Sequence, residues 1–441
     1  MLEEYNKKRN FKKTKEPVGK IAKTSKKWRY IIQHHLARKD HFDFRLEYNG
    51  VLVSFAVPKN LSLNPHDKRL AIRVEDHPLS YRNFEGTIAK GEYGAGIVML
   101  WDKGTWTNVN KIDFNNGFKF KINGSRLKGI WTLVKFKENF LIIKENDQYV
   151  DENIIYDRSI KTNRTFEEIK NNIVISSPDK IIYPKKKIGK EKIINYYSSI
   201  YERMEPFLSK RLISTVRCPN GINKEHFYMK HLNTKSKNLG VKKVKDKNGA
   251  KKDYYYIKNK EGLLEEVNYN SYEFHIWCAP INNQPNILVF DFDPDQNLNL
   301  NTLRNSIKLF KKVLDHFKLK SYLKTSGKKG YHIFIPLNCK NFEELEEIAL
   351  NIAKVVVQKY PDLFTLNIRK KMRKNKIFLD YLRNKKEGTI VAPYSLRLNE
   401  ECAISCPIKW NELNKVKPNQ ITIENFEKRL KLKDPWSDFF L

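Results

Sequence analysis

The sequence is poor in cysteine and contains no long apolar run, and each shortage excludes a class of protein. Its 441 residues include only five cysteines, none of them in a CxxC pair: Cys218, Cys278, Cys339, Cys402 and Cys406. An odd and scattered set indicates reduced thiols in the cytosol and argues against a disulfide framework. Without a membrane-length apolar run or a lipidation motif, a membrane is a poor partner. The polar opening MLEEYNKKRNFKKTK is not a secretory signal, so we expect a cytoplasmic protein.

Acidic residues are also scarce relative to basic ones. There are 50 Asp and Glu residues against 84 Lys and Arg residues, which gives a formal net charge of +34. So large a surplus is self-repelling in a compact state, and it favours a polyanionic partner, with nucleic acid as the leading candidate. A bias toward lysine codons in an AT-rich genome is the alternative source of the charge. An apolar fraction of 40% with 25 Phe and 22 Tyr residues excludes a disordered polyelectrolyte and predicts two or three packed domains.

The first part of the chain changes from a basic tail to a series of strands. Residues 1–28 are basic and unpatterned, which predicts a flexible arm. Residues 29–145 contain short strand-like stretches separated by turn signals, with no convincing helix. This pattern predicts an all-β barrel or sandwich. The polar residues 146–176 show no clear period, and we interpret them as a linker.

Helical periods appear in the second part, residues 177–441. Strands such as ILVFDFD, YHIFIPL and IFLDYL alternate with helix-like stretches, among them GKEKIINYYSSIYERMEPFL, FEELEEIALNIAKVVVQKY and TIENFEKRLKL. This alternation predicts an α/β domain. Within it, the Lys-rich insertion Asn233–Tyr256 carries an Asn248-Gly249 turn, which is typical of a hairpin.

The stretch HHLARKDHFDFRLE concentrates polar residues on one side of a predicted strand. Because side chains alternate along a strand, His41, Asp43 and Arg45 share one face, and His35 enters from the preceding strand. The apolar residues occupy the opposite face: Phe42, Phe44 and Leu46. Two imidazoles and a carboxylate suit Mn or Zn, and an adjacent arginine can clamp a phosphate. The alternative is an ordinary polar face of a half-exposed sheet.

Further polar residues follow in VPKN and KRLAIRVEDHPLSY. They are Lys59, Arg69, His77 and Tyr81. Taken singly, each is better explained as a solvated charge or a turn residue than as part of a site.

Residues 29–145, from HHLARKDHFDFRLEYNG through GTIAKGEYGAGIVMLWDKGTW, resemble the 3′-phosphoesterase module of bacterial ligase D proteins. The resemblance implies a β-barrel with one Mn²⁺ bound in a crevice. It also implies that the enzyme removes 3′-terminal ribonucleosides and 3′-phosphates. It implies His35, His41 and Asp43 as metal ligands, with His41, His77 and Arg45 in catalysis. The implied phosphate-binding residues are Arg45, Lys59, Arg69, His77 and Tyr81. Family members commonly have a Lys-His pair where this chain has His34-His35, which favours His35 as the ligand.

A pair of carboxylates marks the second part of the chain. ILVFDFDPD places Asp291 and Asp293 on one face at the end of an apolar strand, and Asp380 follows another apolar strand in IFLDYLRN. Such carboxylates can bridge the two divalent cations used in phosphoryl transfer. Between them, the turn SGKKG offers close backbone approach to phosphate, with Ser326 and Lys329 as side-chain contacts, although it is not a Walker A motif. The alternatives are a solvated strand end, a DxD glycosyltransferase, and a plain hairpin turn with exposed lysines.

Together, DKIIYP, RCPNG, HIW, VFDFDP, SGKKGYH, IFLDYLRN and APYSLR resemble the polymerase domain of ligase D, within the archaeo-eukaryotic primase superfamily. The resemblance runs from about Ser177 onward. It implies that Asp291, Asp293 and Asp380 hold two catalytic metals, Mn²⁺ or Mg²⁺. The residues implied around the incoming nucleotide are His275, Ser326, Lys329, His332, Arg373 and Arg397. Lys180 and Lys190 would bind the 5′-phosphate across a DNA gap. Lys328 departs from the family, which often has glycine at that position.

These resemblances lead us to expect a two-domain DNA end-processing enzyme of bacterial-type non-homologous end joining, associated with the nucleoid. The barrel would heal 3′ ends, and the second domain would carry out template-directed and gap-filling nucleotide addition with a preference for ribonucleotides. No KxDG motif occurs, so we expect a separate ATP-dependent ligase and a Ku-like end-binding partner. The Lys-rich stretch Lys235–Lys252 would contact the template backbone. The alternative of another class is a non-catalytic basic scaffold that bridges DNA ends.

Overall fold

The chain folds into two units, Met1–Val174 and Ile175–Leu441. The computed structural model describes residues 2–24, 26–151, 157–232, 236–245 and 249–441. Within these residues, no helix has both the length and the apolar character that a bilayer crossing requires.

The first unit is built almost entirely from strands. Its two short helices are α1 (Glu3–Lys7) and α2 (Phe166–Lys170). Its strands are β1 (Arg29–Leu36), β2 (Asp40–Tyr48), β3 (Val51–Val57), β4 (Arg69–Pro78), β5 (Gly86–Ile88), β6 (Gly96–Asn108), β7 (Gly117–Gly124), β8 (Lys128–Phe136) and β9 (Asn139–Lys144).

Eight of these strands close into an antiparallel barrel. The order is β1-β2-β3-β4-β9-β8-β7-β6, and β6 pairs again with β1, while β5 extends the sheet beside β6. Phe44 stacks on Phe120 across the barrel, and Phe55 meets Phe140 edge-on, so these rings fill the interior. Because faces alternate along β2, Asp43 and Arg45 point away from this interior, and other parts of the unit bury them on the outer face. The predicted all-β barrel is confirmed.

The N-terminal residues do not form the flexible arm that their composition predicts. Leu2 and Tyr5 are buried against the barrel, and the Tyr5 hydroxyl donates to the Pro17 carbonyl at 2.7 Å. The Asn6 side chain joins Gly19 through two hydrogen bonds. The prediction from basic composition did not include these contacts, which hold a lysine-rich segment against the barrel.

The predicted linker is also partly folded against the barrel. Thr165 caps α2 through a capping box with Glu168, and the Ile160 amide donates to the Leu100 carbonyl on β6. Residues 152–156 of the predicted linker lie outside the described residues.

The second unit alternates strands and helices, as predicted. Its helices are α3 (Lys190–Leu208), α4 (Lys260–Asn268), α5 (Leu300–His316), α6 (Phe342–Lys359) and α7 (Glu427–Leu430). Its first strands are β10 (Ile181–Tyr183), β11 (Ile188–Gly189), β12 (Arg211–Arg217), β13 (Phe227–Met229), β14 (Leu239–Lys245), β15 (Lys251–Ile257) and β16 (Ser271–Pro280). The remaining strands are β17 (Ile287–Pro294), β18 (Tyr322–Thr325), β19 (Tyr331–Pro336), β20 (Phe364–Thr365), β21 (Ile377–Asp380), β22 (Ile390–Val391) and β23 (Pro407–Ile408).

Two sheets position the polar residues of this unit. One has the order β20-β21-β17-β19-β18-β23, and the other has the order β13-β12-β16-β22. Phe290 and Phe292 on β17 pack against Phe310 of α5 with centroid distances of 4.9 and 5.0 Å. This packing buries one face of β17 and leaves Asp291 and Asp293 on the other.

Two local predictions have different outcomes. The helix predicted over TIENFEKRLKL is wrong except for α7, because Ile421 and Ile423 form extended backbone hydrogen bonds with Ile404 and Cys402. The predicted hairpin is present as the antiparallel pair β14–β15. Asn233, Lys235 and Asn248, which the predictions on this insertion also name, lie outside the described residues. All five cysteines are buried free thiols, in agreement with their scattered spacing.

Candidate metal and nucleotide sites

A cluster of two imidazoles and one carboxylate lies on the outer face of the barrel. His35 and His41 are cross-strand partners on β1 and β2, and Asp43 follows two residues later on the same face. His35 Nδ1 lies 3.7 Å from Asp43 Oδ2, and His41 Nε2 lies 3.7 Å from Asp43 Oδ1. The three ligand atoms are all within 4.8 Å of one another, which is close enough to share one metal ion.

The tautomers of both histidines suit a metal. His35 Nε2 lies 2.9 Å from the Gly94 carbonyl, and His41 Nδ1 lies 2.9 Å from the Lys39 carbonyl. Since a carbonyl only accepts hydrogen bonds, each of these nitrogens carries the ring proton. The other nitrogen of each ring, which faces Asp43, is left with its lone pair. Backbone contacts of this kind orient the histidines of metal centres, so the residues present fit a divalent ion.

The neighbouring His34 takes no part in this cluster. Its Nε2 lies 2.7 Å from Asp40 Oδ1, and its ring stacks on Phe42.

Arg45 connects the cluster to His77. Its Nη2 pairs with Asp43 Oδ2 at 3.0 Å, and its Nη1 lies 2.8 Å from His77 Nδ1. Its Nε donates to the Gln33 side chain and its Nη1 donates to Ser54 Oγ at 2.9 Å, so protein acceptors occupy all three nitrogens of the predicted phosphate clamp. Burial alone raises the pKa of Asp43, but the charge of Arg45, joined by the two histidines when they are protonated, outweighs it and holds that pKa well below its usual range. Burial, Arg45 and Arg9 together lower the pKa of His77 well below its ordinary value.

The N-terminal segment supplies two side chains that sequence reasoning missed. Arg9 Nη2 lies 3.2 Å from His77 Nε2, and Arg9 Nε pairs with Glu16 Oε1 at 2.9 Å. The Tyr81 hydroxyl donates to the same Glu16 oxygen at 3.1 Å. The available signal was Tyr5, an aromatic residue in an otherwise lysine-rich tail, whose ring packs edge-on against His77.

The remaining phosphate-binding candidates divide into two groups. Tyr81 joins the cluster, because the Arg45 guanidinium lies 5.1 Å from its ring centroid. Arg69 instead pairs with Asp67 at 2.8 Å, and Lys59 is exposed. Strand register places both near the barrel end where β2 begins, since Phe42 faces Val57 and Ala56 faces Ile72. They form a basic rim close to the metal cluster.

Three carboxylates share one face of the six-stranded sheet in the second unit. Asp291 on β17 lies directly opposite Asp380 on β21, and Asp293 follows two residues later. Each carboxylate has a basic partner: His332 Nε2 is 3.2 Å from Asp291, Arg373 Nη1 is 3.1 Å from Asp293, and Arg383 Nε is 3.0 Å from Asp380.

The pKa shifts of these carboxylates diverge. Burial raises the pKa of Asp291, but His332 and Arg383 outweigh it and hold that pKa well below its usual range. Burial and the charges of Asp291 and Asp293 raise the pKa of Asp380 despite Arg383. Burial, together with the nearby Lys324, lowers the pKa of His332 to about 4. Crowded carboxylates that repel one another are suitable ligands for divalent cations, so these residues fit a two-metal centre.

A cavity of about 650 Å³ opens beside the carboxylates. Predicted nucleotide-binding residues line it: His275, Ser326, Lys329, His332 and Arg397. Arg373 reaches the same place through its ion pair with Asp293. The Ser326 hydroxyl accepts from the Lys328 and Gly330 amides, which shapes the turn between β18 and β19. Lys328 also lines the cavity.

Glu273 organises this cavity and was missed in the sequence. It is buried, and its Oε1 lies 2.9 Å from His275 Nε2 and 3.2 Å from Arg397 Nε. The Leu398 amide donates to Oε2 at 2.9 Å. Alternation along β16 was the available signal, because Glu273 and His275 are two residues apart.

Lys180 and Lys190 are brought together at the start of α3. The Lys190 amide donates to the Lys180 carbonyl at 3.0 Å, and Lys190 Nζ donates to Ser176 Oγ at 2.6 Å. Burial, with the charges of Lys180 and Arg217, lowers the pKa of Lys190 to about 8. Lys180 and Arg217 lie close enough to Lys190 to influence its charge, and such a group of cations favours an anion.

Both units of the chain are similar to known proteins. Residues 33–135 match the family described as DNA Ligase D 3′-phosphoesterase domain, and residues 189–436 match the LigD primase-polymerase domain. The LigD protein of Pseudomonas aeruginosa is 45% identical over 141 residues, and that of Bacillus subtilis is 31% identical over 270 residues. The polymerase domain of Mycobacterium tuberculosis ligase D, solved in complex with DNA, aligns with 61% of this chain and 98% of its own, at 25% identity and a TM-score of 0.57.

The fold and the two sites therefore define a protein that joins a phosphoesterase barrel to a primase-type polymerase unit. The chain belongs to the LigD primase-polymerase family, whose domain covers more than half of its residues. The matched regions amount to 30% of this chain and 16% of the P. aeruginosa relative, and to 60% of this chain and 44% of the B. subtilis relative. The chain thus spans less than half the length of these relatives.

Proposed function

We propose that the protein processes DNA double-strand breaks in a bacterial-type end-joining pathway, with one chemical activity in each unit. The observation that carries this proposal is the presence of two separate groups of possible metal ligands, His35, His41 and Asp43 on the barrel and the three aspartates on one face of the primase-type sheet. A non-catalytic scaffold would need neither.

In the barrel, His35, His41 and Asp43 would hold one ion, with Mn²⁺ as our choice. The ion would supply Lewis-acid stabilisation of a 3′-terminal phosphate. Arg45 holds Asp43 and His77 in place through its saturated guanidinium. His77 and Arg9 lie together in the buried part of this site, from which they would stabilise the charge of the phosphate, and the rim formed by Lys59 and Arg69 would attract the DNA backbone.

In the second unit, Asp291, Asp293 and Asp380 would hold two ions, Mn²⁺ or Mg²⁺. These ions would steady the attacking and leaving oxygens during nucleotidyl transfer. Ser326, Lys329 and Arg397 would hold the triphosphate of an NTP or dNTP, with ribonucleotides preferred. His275 and His332 would orient the nucleotide, and Arg373 would exchange Asp293 for the incoming phosphates.

The substrate is a broken or gapped duplex that carries a 5′-phosphate. Lys180 and Lys190 would bind that phosphate, and the net charge of +34 favours the rest of the duplex. The likeness to a polymerase domain solved with DNA supports this choice. A Ku-like protein would deliver the ends, and a separate ATP-dependent ligase would seal them at the nucleoid.

A single assay with matched controls tests the proposal. The full chain receives Mn²⁺, nucleoside triphosphates and a 5′-phosphorylated gapped duplex with a 3′-terminal ribonucleotide. We expect His41→Ala to abolish 3′-end trimming only, and Asp291→Ala to abolish nucleotide addition only. The controls His34→Ala and Asp295→Ala change neighbouring residues of the same type and should preserve both activities. If the wild-type chain binds the duplex but performs neither reaction, the scaffold alternative replaces the proposal.

A further inference from the structure

The polymerase unit buries a lysine to which the proposed reaction assigns no role. Lys324 on β18 is fully buried, yet its amine contacts His332 Nδ1 and Ser405 Oγ instead of a carboxylate. Lysine is almost never fully buried without a charged partner. Lys324 contacts His332, and His332 in turn contacts Asp291, so this buried position beside a proposed metal ligand needs an explanation.

Asp291, His332, Lys324 and Ser405 form a series of hydrogen-bonded side chains. The direction of each hydrogen bond follows from the groups at the two ends of this series. An ionised Asp291 only accepts, so the proton of the neutral His332 ring lies on Nε2, 3.2 Å from Asp291 Oδ1. The lone pair is then on Nδ1, and Lys324 Nζ, at 2.8 Å, donates to it. Ser405 Oγ donates its own hydrogen to the Thr325 carbonyl at 3.1 Å, so it accepts from Lys324.

We infer that Lys324 is a positioning residue of the polymerase metal centre, because it holds the His332 ring in the orientation that directs Nε2–H at Asp291 Oδ1. The second oxygen of Asp291, which lies 4.0 Å from Arg383 Nη2, is thereby left for a cation. This inference rests on the proposed polymerase function. Partners of metal-ligating residues commonly change metal affinity by 10–100-fold when they are removed. Without Lys324, His332 Nδ1 would be a buried acceptor without a donor, and the ring would lose one of its two anchors.

Direct metal binding provides the first test. The full chain carries His41→Ala, so that the barrel cluster does not contribute, and free Mn²⁺ is measured by electron paramagnetic resonance. We expect Lys324→Met to weaken Mn²⁺ binding about tenfold. Lys324→Gln, which keeps a donor but no charge, should retain most of the affinity. Lys320→Met, an exposed lysine on the approach to the same strand, is the matched control and should not change it.

Nitrogen-15 NMR of histidine-labelled protein provides the second test. It measures the Nδ1 signal of His332, which a merely structural role of Lys324 would not change. His332→Gln assigns the signal, and we expect the Nδ1 signal to shift in Lys324→Met toward that of a nitrogen without a hydrogen-bond donor. An unchanged signal and unchanged Mn²⁺ affinity in a folded Lys324→Met protein would overturn the inference. If that variant does not fold, a tenfold loss of affinity in Lys324→Gln would overturn the role of the donor, and retained affinity would support it. Absence of Mn²⁺ binding by the His41→Ala protein itself would overturn the proposed polymerase function as well.

Discussion

Arg9 Nη2 lies 3.2 Å from His77 Nε2, so the N-terminal segment contributes a side chain to the outer face of the barrel. The same guanidinium pairs with Glu16 at 2.9 Å and with Glu75 at 3.4 Å, and all three side chains are nearly inaccessible to water. The segment is therefore part of the buried surroundings of the metal cluster rather than an appended tail.

Replacement of Arg9 by alanine should impair the barrel activity selectively. We expect Arg9→Ala to slow release of a 3′-terminal phosphate at least tenfold, because the crevice loses a cation and two buried carboxylates lose their partner. Phosphate release is measured at a temperature where circular dichroism shows folded protein. Lys13→Ala, in the same segment but exposed, is the control. Equal rates for Arg9→Ala and wild type would remove Arg9 from the site.

The two sites differ in how much of them the sequence predicts. His35, His41 and Asp43 follow from strand alternation within nine residues, and the pairing of β1 with β2 does bring them together. Arg9 and Lys324 were missed because their roles depend on contacts between distant parts of the chain. Lys324 and Ser405, for example, are 81 residues apart. Local periodicity carries no information about such pairs.

The same physical reason explains the errors in the fold. The N-terminal segment has the composition of a solvated tail, but Tyr5 finds a buried position against strands that come much later in the chain. TIENFEKRLKL has a helical pattern, but Ile421 and Ile423 gain backbone partners in residues 402–404. In both places, tertiary contacts override local preference.

Neutralisation of Glu273 should weaken nucleotide binding more than it slows chemistry. Glu273→Gln keeps the shape of the side chain but removes the charge that holds His275 and Arg397. Hydrogen bonds to charged groups contribute about 1.5–3 kcal/mol, so we expect the KM for nucleoside triphosphate to rise about tenfold. Steady-state nucleotide addition measures KM and kcat separately. Glu265→Gln, whose carboxylate binds Asn238 away from the cavity, is the control, and an unchanged KM would contradict the prediction.

Gly327 and Gly249 allow a matched test of the turn between β18 and β19. Both have positive φ, +72° and +80°, but a Cβ on Gly327 would lie 2.5 Å from Arg397 Cγ, whereas nothing lies within 4 Å of one on Gly249. A left-handed alanine costs roughly 1–2 kcal/mol, and overpacking adds about 1–3 kcal/mol. Gly327→Ala should therefore lower the Tm of the second unit more than Gly249→Ala does and should weaken nucleotide binding. Equal shifts in Tm, measured by calorimetry, would show that the turn can relax.

The exposed lysines of the β14–β15 hairpin should set part of the salt dependence of DNA binding. Replacement of Lys243, Lys245 and Lys251 by glutamine should lower affinity for a gapped duplex. It should also reduce the slope of log K against log salt by up to about 0.9 for each phosphate that the variant no longer neutralises. Fluorescence anisotropy across a salt series measures this slope. A triple change of exposed lysines elsewhere, Lys428, Lys431 and Lys433 to glutamine, is the control. If both triple variants show the same slope, the hairpin lysines contribute no more to DNA binding than exposed lysines elsewhere in the unit.

The preference for a 5′-phosphate should depend on pH through Lys190. Its pKa is lowered to about 8 by burial and by the neighbouring Lys180 and Arg217, so the amine is charged at pH 7 and mostly neutral at pH 9. A neutral amine attracts a phosphate less strongly, and the preference for 5′-phosphorylated over 5′-hydroxyl gaps should therefore fall between pH 7 and pH 9. Competition binding with the two duplexes measures the ratio. Lys190→Arg stays charged across this range, so its binding ratio should not change with pH. If the ratio of the wild-type protein does not change either, Lys190 has no part in phosphate recognition.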